Sequence, residues 1–437
     1  EIRFQKISMS NIQIIFPQLK MNSKKEIKLF LKKKNKLIDL KIIDIVDALN
    51  FLSEYWVSNK MKIRNEFINN SLGYIIPWLK KSNSLKLLNL NFKNYQMLDE
   101  PYKDEKYNNF LYARPNGVTL HWMTGNVPVI TLISLFQSIL TKNRNIVKIS
   151  RNYKSLFENI FEDIHKADIP NKFKKNIKTI LNSIMIVYVD HSDKDSIEWL
   201  SRTADTRIIW GGFDAVSNLL SLPKKISCKD IVFGPKVSLC YASKKMLDKS
   251  ANLNNFFESL TNDIFNFDQL GCNSPHNLFI QKGSKISTQE ITNNLKYFFS
   301  NRIKQIKNSL DPVNKYNFLN EKFKYDLKKN FKIISDQGYN WNIIINSEKF
   351  PRAEDPLYNR SIFISEIKDY NYLKKILPEN IQTVGLFVED EEKKKIIKSL
   401  SDNGPERFPN IGSMSNYSHP WDGYLPMQSL VRWVSSV

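Results

Sequence analysis

From residue 117 onward, short apolar runs alternate with amphipathic stretches along the chain. The apolar runs are typical of buried strands, and the amphipathic stretches have the period of helices. The predicted strands cover residues 118–123, 146–150, 184–189 and 207–210, and the predicted helices cover 129–140, 155–166, 194–202 and 214–220. Strands separated by helices predict an α/β fold with a doubly wound parallel sheet. Such a sheet binds ligands at the carboxyl ends of its strands.

The pattern differs on either side of this region. Residues 1–110 contain lysine-rich helical stretches at 24–34 and 42–56, and we expect an accessory helical segment there. Beyond residue 281 the α/β pattern returns, which predicts a second α/β domain. Its predicted helices cover 285–307, 321–329 and 391–400, and its predicted strands cover 341–345, 361–364 and 383–388. We therefore expect four segments, at residues 1–110, 111–235, 236–405 and 406–437.

Composition narrows the classes of protein that remain. The chain of 437 residues has a formal charge of +21, but its lysines are spread throughout and do not form a known nucleic-acid-binding pattern. An acidic carrier protein or the phosphates of a cofactor remain compatible with that charge. No apolar run reaches the roughly 18–20 residues of a membrane span, and the first residues do not resemble a signal peptide, so we expect a cytoplasmic protein.

The chain has only three cysteines, and their spacing predicts neither a disulfide scaffold nor a metal site. Cys228 and Cys240 lie in strand-like runs and are interpreted as packing residues. Cys272 lies in FDQLGCNSPHNLF, directly after Gly271 and before a predicted strand at 277–281. A thiol on such a backbone elbow is placed as a nucleophile would be. The alternative is a small apolar residue packed beside a turn, and Cys272 alone favours that alternative.

Polar residues in the turns of the first sheet are further candidates. Asn126 lies between a predicted strand and a predicted helix, where its amide can donate to an oxyanion or cap the helix. On the next strand Lys148 is followed by Ser150 and Arg151, which places cations where the phosphate or ribose of a cofactor could lie.

Two glycines mark another candidate turn. Gly211 and Gly212 follow the predicted strand at 207–210 and precede a helix, an arrangement that suits a pyrophosphate at a helix N-terminus. An ordinary tight turn explains the pair equally well. The chain has no GxGxxG fingerprint, so a standard Rossmann dinucleotide site is not predicted.

These motifs, taken in order, carry a resemblance to a family. GNVP followed by SLFQSILTKNRNIVKIS, then WGGFDAV, FGPKVSL, FDQLGCNSPH and the terminal HPWDGYLPMQSLVRWV resemble the LuxC-type long-chain fatty acyl-CoA reductases, a branch of the aldehyde dehydrogenase superfamily. The resemblance runs from about residue 114 to the end of the chain. It implies an aldehyde-dehydrogenase-like fold with a cofactor domain and a catalytic domain.

The resemblance also implies roles for individual residues. Cys272 would accept the acyl group, and Asn126 would donate to the oxyanion together with the backbone N–H of Cys272. Lys148 would contact the cofactor ribose. Arg151 stands where NAD-linked relatives have a glutamate, which implies NADPH rather than NADH. Glu366 is matched to the superfamily glutamate that holds the nicotinamide ribose, although the surrounding EIKDY departs from the usual pattern.

One departure from the dehydrogenases bears on the reaction. Val232 occupies the position of the glutamate that activates water in the hydrolytic relatives, so hydrolysis of an acyl-enzyme is not promoted. Asp230 is expected to point to the other face of its strand and to be a poor substitute.

The predicted function is NADPH-dependent reduction of a fatty acyl thioester to a fatty aldehyde through a cysteine thioester. The acyl donor, either acyl-CoA or an acyl-carrying protein, stays open, as does the proton donor, for which His276 and His121 are candidates. The alternatives are an oxidative NADP-dependent aldehyde dehydrogenase and a non-catalytic binding homologue. A homo-oligomer is expected by analogy, and fatty aldehyde for luminescence is the best-known use in the family.

Overall fold

A computed structural model describes residues 12–17, 23–58, 60–106, 108–249, 251, 253–306 and 312–436. The chain divides into two compact units. The first unit contains the residues up to Gly234 together with 418–420 and 424–437, and the second contains residues 235–417 and 421–423. Each unit is built around its own parallel sheet. No helix within the described ranges is long and apolar enough to cross a membrane.

The strands are numbered in chain order. They are β1 Gln13–Phe16, β2 Tyr102–Asp104, β3 Asn109–Pro115, β4 Val118–Trp122, β5 Arg144–Lys148, β6 Ile184–Tyr188, β7 Thr206–Trp210, β8 Lys229–Phe233, β9 Val237–Ala242, β10 Pro275–Gln281, β11 Phe331–Ser335, β12 Asn342–Asn346, β13 Ser361–Ile367, β14 Ile381–Phe387 and β15 Val431–Ser436.

The α-helices are numbered in the same way. They are α1 Ser23–Lys32, α2 Ile42–Val57, α3 Arg64–Asn69, α4 Ile76–Leu79, α5 Lys81–Asn91, α6 Val129–Leu140, α7 Lys154–Lys166, α8 Asn171–Leu181, α9 Lys194–Thr203, α10 Phe213–Leu220, α11 Lys244–Leu247, α12 Leu253–Phe265, α13 Thr288–Gln305, α14 Pro312–Asp326, α15 Asp390–Leu400 and α16 Pro426–Ser429.

The main sheet of the first unit has the strand order β1-β6-β5-β4-β7-β8. Strands β4 to β8 pair in parallel, and helices α6, α7, α9 and α10 make the crossovers between them. Strands β6 and β7 are buried along their whole length, because helices cover both faces of the sheet. The eight strands and helices predicted between residues 118 and 220 are confirmed, with ends that shift by no more than two residues.

The predicted helical stretches at 24–34 and 42–56 form α1 and α2, and the segment before residue 110 also contains strands. Gln13–Phe16 forms β1, an antiparallel edge strand on β6. Strand β2 pairs with β3, which also pairs with β15 near the chain end, and the three form a separate small sheet. Short apolar runs such as QIIF become strands because an edge is available for pairing, which the local pattern does not reveal.

The second unit has a sheet of order β11-β12-β13-β10-β9-β14. All its neighbours are parallel except β11, which pairs antiparallel with β12. Helices α12 and α13 pack on one face through Phe257, Leu260 and Phe299. The predicted strands near 341, 361 and 383 and helix α15 are confirmed. Residues 321–326 of the predicted helix 321–329 belong to α14, Pro312–Asp326. The predicted helix 285–307 corresponds to α13, Thr288–Gln305, and its residue 307 lies outside the described residues.

Candidate active site

The backbone that carries Cys272 is held in an unusual conformation. The 3-10 turn Asn266–Gln269 contains three consecutive residues in the left-handed region, with φ of 54° at Phe267, 52° at Asp268 and 62° at Gln269. A second run, at Tyr358, Asn359 and Arg360, has φ of 51°, 54° and 54°. Each such non-glycine residue costs on the order of 1 kcal/mol or more, so surrounding contacts must hold both segments in place.

Those contacts join the two segments to each other. Arg360 Nη2 lies 2.5 Å from Asp268 Oδ1, and the Arg360 side chain is almost fully buried. The Gln269 side chain accepts from the backbone N–H of Ser361 at 2.8 Å and donates to the carbonyl oxygens of Ser361 at 2.6 Å and Pro275 at 2.8 Å. The turn before Cys272 is therefore fastened to the first residues of β13 and β10.

The Cys272 side chain is partly exposed and faces polar groups of the same unit. Its sulfur lies 3.3 Å from Gln382 Nε2, and its carbonyl accepts a hydrogen bond of 2.7 Å from Ser238 Oγ. The amide nitrogen of Gln382 also donates to Asp422 Oδ1, and Gln382 is fully buried on β14. One amide thus bridges a thiol and a buried carboxyl group.

The electrostatics of this cluster favour the neutral thiol. Burial raises the pKa of Cys272 to about 12, and the nearby Asp422 carboxylate adds to the rise, whereas Gln382 and Arg407 oppose it. Burial also raises the pKa of Asp422 to about 6. The Arg407 guanidinium lies 4.2 Å from the Trp421 ring and donates to the carbonyl of Asn416 at 2.8 Å. A thiolate at position 272 would therefore form beside one amide donor and one fixed cation.

The two histidines are both buried, and burial lowers the pKa of His276 to about 3 and of His121 to about 4. His121 has both ring nitrogens engaged, with Ser134 Oγ at 2.8 Å and Asn145 Oδ1 at 3.1 Å. His276 packs edge-on against Tyr358, and its Nδ1 has no hydrogen-bond partner among the described residues. Both rings are neutral at pH 7, so neither enters the reaction as an imidazolium.

The candidate cofactor residues of the first unit lie at the carboxyl edge of its main sheet. Lys148 ends β5, and burial lowers its pKa while Asp190 opposes the shift. Ser150 Oγ is buried without a hydrogen-bond partner in the described part of the chain. A Cβ at Gly125 would lie 3.3 Å from the Cβ of Ser150, so the turns after β4 and β5 touch here. An orphaned hydroxyl beside a cation fits a polar ligand such as a nucleotide.

Arg151 has a partner that the sequence did not suggest. Its Nη2 lies 3.1 Å from Asp190 Oδ2, and its Nε donates to Tyr188 Oη at 3.2 Å. Hydrogen bonds from Ser192 hold the pKa of Asp190 well below its usual range, so the carboxylate is charged and offsets the guanidinium. The Arg151 side chain is still 75% exposed and can contact a ligand.

The turns that carry the remaining candidates of the first unit lie at the same edge. Asn126 is exposed in the turn between β4 and α6. Gly212 is the N-cap residue of α10, and a Cβ there would meet nothing within 4 Å. A Cβ at Gly211 would lie 3.2 Å from the Cβ of Ala215, which explains a small residue at that position.

The structure separates Glu366 from Cys272. Glu366 lies near the carboxyl end of β13, in register with Ile280 of β10, whereas Cys272 precedes the amino end of β10. Five strand residues span about 17 Å, so the two side chains lie toward opposite ends of the sheet. Glu366 is exposed and accepts a hydrogen bond from Thr288. The position of Glu366 therefore gives no support to a role beside the nicotinamide. The register of β13 against β10 sets this position, and sequence spacing does not reveal it.

The expected orientation of Asp230 is wrong. Residues two apart in a strand share a face, so Asp230 and Val232 lie on the same side of β8, and both are half-buried. Asp230 is instead occupied by Arg207, with distances of 2.7 and 2.8 Å, and by Lys224 at 2.6 Å. The carboxylate is therefore paired with one buried and one partly exposed cation and is still a poor base for water.

Sequence reasoning missed most of the groups around the thiol. Asp422 lies in the WDG motif, and the motif alone predicted no role for the Asp422 carboxyl group. Gln382 and Arg407 stand in unremarkable stretches, and only the topology brings them to Cys272. Tyr358 was also missed, and its pKa is raised by burial and by the neighbouring Cys272.

Comparisons with known proteins agree with this architecture. The model of a family described as Acyl-CoA reductase (LuxC) matches residues 37–433. The long-chain acyl-protein thioester reductase of Vibrio harveyi is 26% identical over 424 residues, which cover 91% of this chain and 83% of that protein. The protein of the same name from Aliivibrio fischeri is 25% identical over 436 residues, with the same two coverages.

Solved structures of the aldehyde dehydrogenase type share the fold. A 1-pyrroline-5-carboxylate dehydrogenase from Thermus with bound NAD has a TM-score of 0.63 at 11% identity and covers 94% of this chain and 85% of its own. Aldehyde dehydrogenase 21 from Physcomitrella patens has a TM-score of 0.62 at 11% identity, with coverages of 94% and 87%. The predicted fold class is confirmed.

Proposed function

Because the chain belongs to the acyl-CoA reductase (LuxC) family, we propose that it reduces a fatty acyl thioester to a fatty aldehyde, with the acyl group held on Cys272 and NADPH as the reductant. Membership of the family confirms the prediction of an enzyme that is an aldehyde-forming reductase. The single observation that carries the proposed role of Cys272 is the Gln382 amide directed at its sulfur. The names of the relatives favour an acyl group carried on a protein as the donor.

The first step belongs to the thiol. The Cys272 sulfur attacks the thioester carbonyl, a new C–S bond forms, and the donor leaves as a thiol after taking up a proton. Because burial raises the pKa of Cys272 to about 12, the sulfur needs stabilisation as it loses its proton. Gln382 and Arg407 supply a hydrogen bond and a positive charge for that stage.

The oxyanion needs donors of its own. By the family resemblance, these donors would be the Asn126 amide and the backbone N–H of Cys272. Hydrolysis of the acyl-enzyme is slow in this scheme, because Val232 cannot activate water and Asp230 is paired with Arg207.

The cofactor role is assigned to the carboxyl edge of the first unit's sheet. Lys148 and the unpartnered Ser150 hydroxyl suit a ribose or phosphate, and Gly211 and Gly212 suit a pyrophosphate at the start of α10. Arg151 would exchange Asp190 for a 2′-phosphate, which favours NADPH. When bound, the cofactor supplies the hydride.

The test combines acylation with turnover. The chain is incubated with acyl-CoAs of graded length, and separately with the same acyl groups on a carrier protein, with NADPH or NADH, and the aldehyde is identified by mass. Cys272→Ala should abolish aldehyde formation and covalent acylation, whereas Cys228→Ala, which alters another cysteine, should retain both. Full acylation of Cys272→Ala would contradict the role of this residue.

The role of Arg151 in cofactor selection can be measured separately. Arg151→Gln should reduce the NADPH-to-NADH ratio of kcat/KM by about tenfold, the effect of one lost charge-assisted contact. An unchanged ratio would remove Arg151 from cofactor selection without affecting the role of Cys272. A cytoplasmic location and a homo-oligomer remain predictions.

A further inference from the structure

Three arginines line one cavity of the first unit. The cavity has a volume of about 190 Å³ and is bordered by Asn35, Gly117, Arg114, Arg144 and Arg432. Arg114 comes from β3, Arg432 from β15, and Arg144 is the first residue of β5. The cavity therefore lies where the small three-stranded sheet meets the amino end of the main sheet. It is much larger than the roughly 30 Å³ that a single water occupies in liquid.

No carboxylate pairs with these arginines within the described ranges, and no acidic side chain of those ranges lines the cavity. The acidic residues nearby have lysine partners instead. Asp99 binds Lys142 at 2.6 Å, and Asp205 binds Lys225 at 2.7 Å. The positive charge of the cavity is thus not neutralised by the protein around it.

Strand pairing places two of the arginines side by side, and the Arg114 guanidinium also donates to Tyr112 Oη. Arg432 lies directly opposite Arg114 in the antiparallel pair of β15 and β3. Residues in such a position have Cβ atoms about 4.5–5.5 Å apart, and like charges there are destabilising. An anion that binds between the two guanidinium groups would offset this repulsion.

The third arginine is fixed in place. Arg144 is 7% exposed, and its Nη1 donates to the carbonyl of Leu31 at 2.6 Å, while its Nη2 donates to the carbonyl of Lys33. Its Nε is buried and has no hydrogen-bond partner among the described residues. Arg144 therefore contributes a positive charge to the cavity wall that two backbone carbonyls hold in position.

We propose that this arginine cavity, defined by Arg114, Arg144 and Arg432, binds a phosphate group, presented either as free phosphate or as the phosphate of a small phosphomonoester. Planar guanidinium groups match the oxygens of a phosphate, and three of them can neutralise its charge. Bound phosphate joins β3, β5 and β15 and so stabilises the first unit.

This site is distinct from the proposed cofactor edge. Gly117 and Val118, at the amino end of β4, border the cavity, whereas Asn126 follows the carboxyl end of the same strand. The five residues of β4 span about 17 Å. Binding in the arginine cavity therefore does not depend on the proposed reaction, and either can fail alone.

The test is calorimetric titration of the whole chain with inorganic phosphate, ribose 5-phosphate and acetate, each at constant ionic strength set with sodium chloride. Arg432→Gln is the test variant because this side chain is exposed and its loss leaves the buried contacts of Arg144 intact. Arg202→Gln, an exposed arginine on α9 outside the cavity, is the matched control for one lost charge.

We expect saturable binding of a phosphate compound that weakens about tenfold or more in Arg432→Gln and is unchanged in Arg202→Gln. Tighter binding of ribose 5-phosphate identifies a phosphomonoester, and tighter binding of inorganic phosphate identifies the free ion. Absence of saturable binding to the wild-type chain, equal binding of acetate, or equal weakening in both variants would overturn the proposal. Melting temperature gives a second readout, since bound phosphate should raise it in the wild type.

Discussion

The Asp422 carboxylate should make the Cys272 thiol less reactive, and replacing the carboxylate by a neutral amide should make the thiol more reactive. Asp422→Asn removes the negative charge but keeps a carbonyl oxygen that can accept the hydrogen bond from Gln382. The Asp422 carboxylate raises the pKa of Cys272 in the wild-type protein, so the pKa of the thiol should fall in the variant.

The size of the effect follows from the geometry. The sulfur lies 3.3 Å from Gln382 Nε2, which also bonds to the carboxylate, so the two negative charges are roughly 5–6 Å apart. At an effective dielectric constant of about 20, their repulsion is about 3 kcal/mol, which corresponds to a fall of about two in the thiol pKa. The thiolate fraction then rises about a hundredfold, and its lower intrinsic nucleophilicity reduces the gain in rate to about tenfold.

The assay is alkylation of Cys272 by iodoacetamide at pH 8, followed by mass spectrometry of the peptide that contains it. Cys272→Ser defines the background, and Asp402→Asn, at an exposed acidic residue, controls for net charge. Because the pKa of Asp422 is about 6, the difference between wild type and variant should grow as the pH rises above 6 and vanish below it. An unchanged or slower rate in Asp422→Asn at pH 8, with an unchanged melting temperature, would refute this reasoning.

Two further predictions concern stability, and urea unfolding tests both. Asp230→Ala leaves the fully buried guanidinium of Arg207 without its bidentate partner, so the free energy of unfolding should fall by about 3–5 kcal/mol. Asp402→Ala is the control and should change it little. A fall below about 1 kcal/mol in Asp230→Ala would contradict a buried ion pair. Gly117→Ala should lower the free energy of unfolding by about 1–3 kcal/mol, because φ is +135° and the new Cβ would lie 2.3 Å from Asp205 Oδ2. Gly73→Ala is the control and should be nearly neutral, because a Cβ there meets nothing within 4 Å. Equal stability of the two variants would show that the loop at Gly117 relaxes without strain.

The fold could be read from the sequence wherever burial produces a continuous apolar run. Strand β6 is buried on both faces, and its uninterrupted apolar residues, IMIVY, identify it without any knowledge of its neighbours. Strand β11 is only half-buried, and it was missed because its partner β12 provides the stabilisation. Helix α12 was also missed, although its buried face is clear once the sheet beneath it is known.

The candidate site could be read only in part, because a turn is a local feature and a cluster is not. Cys272 was found from the glycine and the turn residues beside it. Gln382 lies 110 positions away and reaches the sulfur because β14 and β10 both pair with β9. Glu366 was placed by motif comparison, and the register of β13 against β10 decides its position instead.

The two left-handed segments near Cys272 limit which sequences can occupy this region. Glycine at Phe267 or Tyr358 would adopt the observed φ without steric cost, yet it would also widen the range of backbone conformations open to the unfolded and folded chain. Residues with large side chains there restrict the loop to one shape, at the expense of folding free energy. A glycine at either position should therefore loosen the turn before Cys272, while the greater freedom of the unfolded chain offsets the relief of backbone strain.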